Sequence, residues 1–254
     1  MRILACVKRV PATGGRITLT ADERDIDTRF LGFAVSPHEE CAVEEAVRLA
    51  EAHGGETAVL TLGPDAAADQ LRDALAIGVD RAILLETDGS DWDPGATASA
   101  IADAIRSLEA ADGPFDLVLF GNESADSGGY QVGIRVAVAL GRPVVTGAKA
   151  LEVGDGRVTA RRQAAGGWEV FEAPLPAVVS VREGINLPRY PSVPGRLRAR
   201  KKEIERIVPE RRSLGPELIR LVVPEEVTAS AEILGTGPEA APRVVEVMRE
   251  LGIL

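Results

Sequence analysis

Through the first ~145 residues, short apolar runs alternate with longer stretches of helical apolar spacing, the pattern of a parallel sheet with helices on its faces. No other feature restricts the fold as much. The runs are residues 2–8, 56–62, 81–86 and 115–121, and a loop and then a helix follow each of them. The first helix is well marked: Ser36 stands as N-cap, Pro37 at the first helical position, and Glu39 three residues past the cap, as in a capping box. Val43, Ala46, Val47 and Ala50 form its apolar face, and Gly54-Gly55 stops it. The acidic pairs Glu39–Glu40 and Glu44–Glu45 read as its solvated side. Further helices are predicted over 65–77, 94–110 and 129–140, and residues 17–33 break the rhythm as an extended excursion.

After Pro143 the pattern changes to runs 144–153, 157–163 and 168–172, with turns at Gly154-Asp155-Gly156 and Gly166-Gly167, an antiparallel addition to the sheet. Residues 176–181 read as another buried strand. From residue 183 onward prolines recur, which argues against a continuous compact core; residues 209–254 are either a meandering tail or an arm that packs on another chain. Apolar pieces at 218–223 and 244–254 favour the arm, because a body this small offers them little cover. The expected fold is therefore α/β and Rossmann-like. A mostly parallel sheet flanked by helices carries an antiparallel extension and an extended C-terminal arm, with the domain over 1–208.

Several function classes are excluded by composition and pattern. A net charge of -10 and 4% aromatic residues disfavour nucleic acid as a partner. The two cysteines, Cys6 and Cys41, lie far apart, and with only His38 and His53 there is no metal-ligand spacing, so no metal is expected. The apolar run 3–7 is too short for a secretory segment and nothing approaches a membrane span, so a cytoplasmic, not membrane-inserted protein is expected. No G-x-G-x-x-G, P-loop or nucleophile-elbow pattern occurs, and no catalytic residue can be assigned.

In a parallel sheet, ligands bind beyond the carboxyl ends of the strands, where the strand order reverses. The richest loop there is Gly121-Asn122-Glu123-Ser124-Ala125-Asp126-Ser127-Gly128-Gly129, leading to Tyr130-Gln131. Small residues admit a ligand to the backbone, and the following helix start offers N–H groups to a phosphate, which suits a nucleotide; Gly-Ser-Asp loops are also ordinary turns. His38 by itself reads as a solvent-facing helix residue. A second distinctive stretch is Asn186-Leu187-Pro188-Arg189-Tyr190-Pro191-Ser192-Val193-Pro194, followed by a basic run over 196–202. Its prolines stiffen a loop that presents Leu187, Tyr190 and Val193, either as a partner-recognition loop or as a proline-rich connection beside a solvated charge run. The cations would steer a negatively charged partner.

At these residues the chain resembles the β subunit of electron transfer flavoprotein, nearly end to end. The landmarks are Val7-Lys8-Arg9-Val10, Ala42-Val43-Glu44-Glu45-Ala46-Val47-Arg48-Leu49, Gly63-Pro64, Ala74-Leu75-Ala76-Ile77-Gly78-Val79-Asp80-Arg81, residues 121–133, Leu175-Pro176-Ala177-Val178-Val179, residues 186–190 and residues 199–202. The resemblance implies a heterodimer with an α subunit that holds most of an FAD, and a structural AMP in this chain. It places AMP at Cys6, Ser36, Pro37, His38, Glu39, Leu62 and the run from Gly121 through Tyr130, Gln131 and Val132. A polar ending common in relatives is replaced by Ser127-Gly128-Gly129-Tyr130-Gln131-Val132, which shifts AMP binding toward backbone N–H groups. Thr13 and His38 fall where relatives face the flavin edge, which gives His38 a second reading as a group beside the isoalloxazine.

The resemblance also implies that flavin dehydrogenases, such as acyl-CoA dehydrogenases, dock at Asn186, Leu187, Pro188, Arg189, Tyr190 and Val193 within a loop near 184–194. Electrons then pass through FAD to a quinone oxidoreductase, and the chain is a carrier subunit rather than an enzyme with its own substrate. Val193 stands where relatives usually have leucine, and Gln163 where they often have a glutamate that tethers the flavin domain. The alternatives are an electron-bifurcating relative with a second FAD in place of AMP, or a stand-alone nucleotide-binding regulatory module.

Overall fold

The computed structural model describes residues 1–12, 17–212, 215, 218–224 and 231–254. Strand β1 (Arg2–Val7) is buried along nearly its whole length, and its side chains alternate between two cores. Ile3, Ala5 and Val7 enter one and Leu4 and Cys6 the other, as the period of two along a strand requires when both sheet faces are covered. The first core is closed by α1 (Pro37–His53) and α2 (Ala68–Ile77), the second by α3 (Pro94–Asp112) and α4 (Val132–Leu140). Burial of these paired apolar faces holds the layers together.

The other strands are a short pair, β2 (Val10–Pro11) and β3 (Phe33–Ala34), then β4 (Glu56–Gly63), β5 (Arg81–Glu86), β6 (Leu117–Gly121), β7 (Val144–Gly154), β8 (Arg157–Ala164), β9 (Gly167–Pro174), β10 (Ala177–Val181) and β11 (Glu205–Ile207). β2 and β3 pair antiparallel, flanking the excursion at 17–33. The rest form one sheet in the order β11-β5-β4-β1-β6-β10-β7-β8-β9, parallel except for the β7-β8 and β8-β9 pairings. The chain moves outward from β1 through β4 and β5, then returns to place β6 on the other side of β1. The strand order therefore reverses between β1 and β6, where Cys6 lies level with Phe120.

The predicted strands and the antiparallel addition are present, with corrections at several boundaries. Residues 65–67 form a 3-10 turn before α2. Helix α4 begins at Val132 rather than Gly129, because Gly128 and Tyr130 adopt φ of 53° and 55° and the chain turns left-handed before it can enter a helix. The stretch read as a loop and a charge run contains helix α5 (Val193–Lys201). Ser192 caps it by accepting the Gly195 N–H at 3.1 Å, and a Cβ on Gly195 would stand 2.2 Å from the Ala76 carbonyl, so α5 lies directly on α2. Its last-turn cations Arg198, Arg200 and Lys201 face the helix's negative end, and Lys202 Nζ bonds the carbonyls of Val79 and Asp80 at 2.8 and 2.9 Å. Beyond β11, the described part of residues 209–254 is largely exposed and ends in helix α6 (Ala241–Glu250).

Candidate functional site

The carboxyl ends of β1 and β6 and the first turn of α1 meet at the switch point. Gly121 closes β6 against α1: a Cβ there would fall 2.6 Å from Glu39 Cγ and 2.9 Å from its backbone nitrogen. Glycine is required at this position by that close approach within the chain. Ser36 donates its hydroxyl to the Glu123 carbonyl at 3.2 Å, while its backbone N–H donates to Glu39 Oε2 at 3.2 Å. Burial raises the Glu39 carboxyl to about 8, against the opposing hydrogen bonds from Ser36. The reading of Glu39 as part of a solvated face is thereby overturned, and Glu44 and Glu45 are buried as well.

Across the crevice, Lys8 Nζ lies 2.5 Å from Asp126 Oδ2. Burial opposes the Asp126 charge, yet hydrogen bonds from Lys8 and Ser124 outweigh it and hold the carboxyl below its ordinary range. Ser124 and Ser127 hydroxyls stand 3.0 Å apart, and the Ser127 N–H donates to Asp126 Oδ1 at 2.7 Å. Asn122 is held from behind: its N–H donates to the Val181 carbonyl at 2.9 Å and its Oδ1 accepts from Ser180 Oγ at 3.1 Å. Nothing lies within 4 Å of the Cβ positions of Gly128 or Gly129, so the loop has open space there. Ala125 is exposed and Tyr130 more than half so. Gln131 stands at the N-cap of α4 without a side-chain cap bond, and its Oε1 instead accepts from Arg135 at 3.0 Å.

The structure brings Ser36, Pro37, His38, Glu39 and the 121–131 loop together. Cys6 turns its side chain into the α3–α4 core, where burial and then the Glu39 charge push the thiol far up. Leu62 and Val132 pack partly against that same core. Thr13 lies outside the described residues. His38 is not a solvent-facing residue, since its side chain is only 14% exposed. Its Nε2 lies 3.2 Å from Glu123 Oε1, and its Nδ1 accepts the Glu183 backbone N–H at 3.3 Å.

Next to this region the segment 186–193 divides into side chains that hold it and side chains it presents. Asn186 Nδ2 donates to the Cys41 carbonyl at 3.0 Å and to Glu45 Oε2 at 2.8 Å. Arg189 forks onto Glu44 and also reaches Glu51 at 2.7 Å, and these carboxylates hold its guanidinium above its usual range. Leu187 and Tyr190 point away, 90% and 96% exposed, and Val193 is 73% exposed at the first residue of α5. Pro188 is half-buried between them. Glu44, Glu45 and Glu51 were not expected from the sequence as the partners of this segment; the signal available was the run of acids along α1, three of them on the side that meets an Asn and an Arg.

Comparison with known proteins decides the family. The pattern of the electron transfer flavoprotein domain matches residues 26–211. The chain is 34% identical over 250 residues to an electron transfer flavoprotein subunit beta of Syntrophomonas wolfei, covering 98% of this chain and 96% of that one. It belongs to the electron transfer flavoprotein family. A Bacillus subtilis protein of the same description is 31% identical over 259 residues, with 98% of each chain covered. A mitochondrial one from Oryza sativa subsp. indica is 34% identical over 211 residues, covering 83% of each. The mostly parallel sheet with its antiparallel part agrees with the fold of this family. Among the described residues, no helix is long and apolar enough to cross a membrane and no group of three or more His, Cys, Asp or Glu is placed to hold a metal ion.

Proposed function

We propose that the chain is the β subunit of a heterodimeric electron carrier, receiving electrons from flavin dehydrogenases such as acyl-CoA dehydrogenases and passing them to a quinone oxidoreductase of the respiratory chain. The observation that carries this reading is its likeness to β subunits along 98% of its length, the two distinctive loops included. The carrier works in the cytoplasm. Residues 209–254 form an arm that packs on the α subunit, which would cover the exposed apolar side chains Ile219, Val222, Leu251 and Ile253.

In this reading AMP sits beyond β1 and β6. The donor set fits it. Asp126 can accept from a ribose hydroxyl and the Ser124 and Ser127 hydroxyls can donate to a ribose or phosphate oxygen, the open faces of Gly128 and Gly129 let the nucleotide reach the backbone, and the uncapped start of α4 favours an anion. Lys8 offsets the Asp126 charge beside that anion. FAD, held mainly by the α subunit, supplies the redox chemistry. This chain contributes a rigid wall at the first turn of α1 and a docking surface made by Leu187, Tyr190 and Val193.

Co-expression with the α subunit tests the assembly, and denaturing the purified complex identifies what it carries. A 1:1 complex releasing one FAD and one AMP is expected. Release of two FAD and no AMP would replace the AMP assignment with the bifurcating alternative, and a stable chain that ignores the α subunit would overturn the carrier reading.

A further inference from the structure

Resting on the reading of residues 184–194 as the docking loop, we propose that His38 is a positioning residue for dehydrogenase docking, acting through the backbone of Glu183. His38 is the junction of three elements. It belongs to the first turn of α1, its Nε2 meets Glu123 in the loop after β6, and its Nδ1 takes the N–H of Glu183 in the turn after β10. Nδ1 accepts the Glu183 N–H, which leaves the ring proton on Nε2, the atom that stands 3.2 Å from Glu123 Oε1.

Glu183 lies three residues before Asn186, and the turn between them is tight. Gly184 has φ of 82°, and the Ile185 N–H returns to the Arg182 carbonyl at 3.2 Å. Beyond it the path of the segment is set by Asn186 and Arg189 on α1 and by α5 on α2. On the near side the backbone of Glu183 has two holds: His38 on its N–H and Lys149 Nζ on its carbonyl. Loss of the His38 bond therefore leaves the loop attached but leaves Glu183, where it enters, held by Lys149 alone, tilting where Leu187 and Tyr190 stand. A hydrogen bond of this kind is a modest energy, so the effect belongs in docking affinity and not in whether the chain folds.

Two conservative variants separate the bonds. The amide oxygen of His38→Asn falls near the place of Nδ1 and can still accept from Glu183, whereas the longer amide of His38→Gln reaches Glu123 in place of Nε2. The FAD-loaded heterodimer carrying His38→Asn, His38→Gln, His38→Ala or Val193→Ala is reduced by an acyl-CoA dehydrogenase in stopped flow, with flavin potential and AMP content measured on each. His38→Gln and His38→Ala are expected to raise KM about two- to tenfold at constant kcat and potential, and His38→Asn to restore most of it. The proposal is overturned if His38→Asn behaves as His38→Ala, if KM moves in none of the His38 variants, or if the change falls on kcat and potential, as for a side chain against the flavin. Val193→Ala reads the loop by itself. Should it raise KM while His38→Gln does not, only the role of His38 falls; should it leave KM unchanged, the docking loop falls and this proposal with it.

Discussion

Arg189 clasps Glu44 with two donors, Nε at 3.0 Å from Oε2 and Nη2 at 2.9 Å from Oε1, across 145 residues of sequence. The Arg189 N–H adds a third bond to the same carboxylate at 3.1 Å. Glu44 is only 3% exposed, so its charge is stable there because of this fork and would otherwise be left buried and unpaired. Arg189→Ala should destabilise the chain by about 2–3 kcal/mol, at the lower end for such pairs because Arg189 is itself partly solvated. Arg189→Lys should recover less than half, a point charge being unable to form the fork. Urea unfolding of the heterodimer measures both; a change below about 0.5 kcal/mol for Arg189→Ala would remove the clasp as the loop's main anchor.

Val193 behaves oppositely. It is exposed at the start of α5 and contributes little to the fold, so Val193→Ala should leave the melting temperature within about 1 °C of wild type. If a dehydrogenase seats on it, truncation should weaken docking by roughly 1–2 kcal/mol, about five- to thirtyfold, in single-turnover reduction. Enlarging it in Val193→Leu should tighten docking. Reduction kinetics identical to wild type for both variants would place the contact elsewhere.

The strands could be read in the sequence because periodicity is local: a strand buried on both faces is a continuous apolar run wherever it occurs; their order, and so the reversal between β1 and β6, is set by pairing between distant segments and could not. Glu44 and Glu45 could not, since burial of an acid is decided by a partner, and Arg189 and Asn186 lie about 140 residues further on. Gly121 read as one of the small residues that admit a ligand to the backbone, whereas the space it leaves is taken by Glu39 of this chain. Helix α5 was hidden by its prolines and charges, although Ser192 before Val193-Pro194 is a helix-start signal of the kind recognised at Ser36-Pro37. The start of α4 depends on left-handed backbone at Tyr130, a non-glycine, which no pattern announces.

The nucleotide assignment predicts an effect on composition as well as on stability. Asp126→Ala with Gln131→Ala removes the Lys8 partner and the side chain at the α4 N-cap. The purified heterodimer should then contain less than about half of the wild-type AMP, and adding AMP should raise its melting temperature toward wild type, since a ligand bound only by the native state stabilises it by mass action. The FAD absorbance should be unchanged. Full AMP occupancy in the double variant would show that these two side chains are not part of the site.

Glu39 gives a pH dependence whose sign is opposite to that of an ordinary ion-paired acid. Its carboxyl is raised to about 8 in the folded chain, chiefly by burial, against an ordinary value near 4.5. Below the ordinary value the group is protonated folded and unfolded alike, and it costs nothing. Between the two values the folded state binds a proton that the unfolded state has released, so stability falls as pH rises across this window and levels off above about 8. Glu39→Gln keeps an oxygen for the Ser36 N–H at position 39 and removes the ionisation. Its melting temperature should match wild type near pH 5 and exceed it by about 5 °C at pH 9, with the difference growing across the window. Thermal unfolding of both proteins from pH 5 to pH 9 decides the matter. A constant difference would mean that the Glu39→Gln side chain merely packs better, and a wild-type protein that gains on the variant as pH rises would mean that the carboxylate is paired and stabilising in the folded chain.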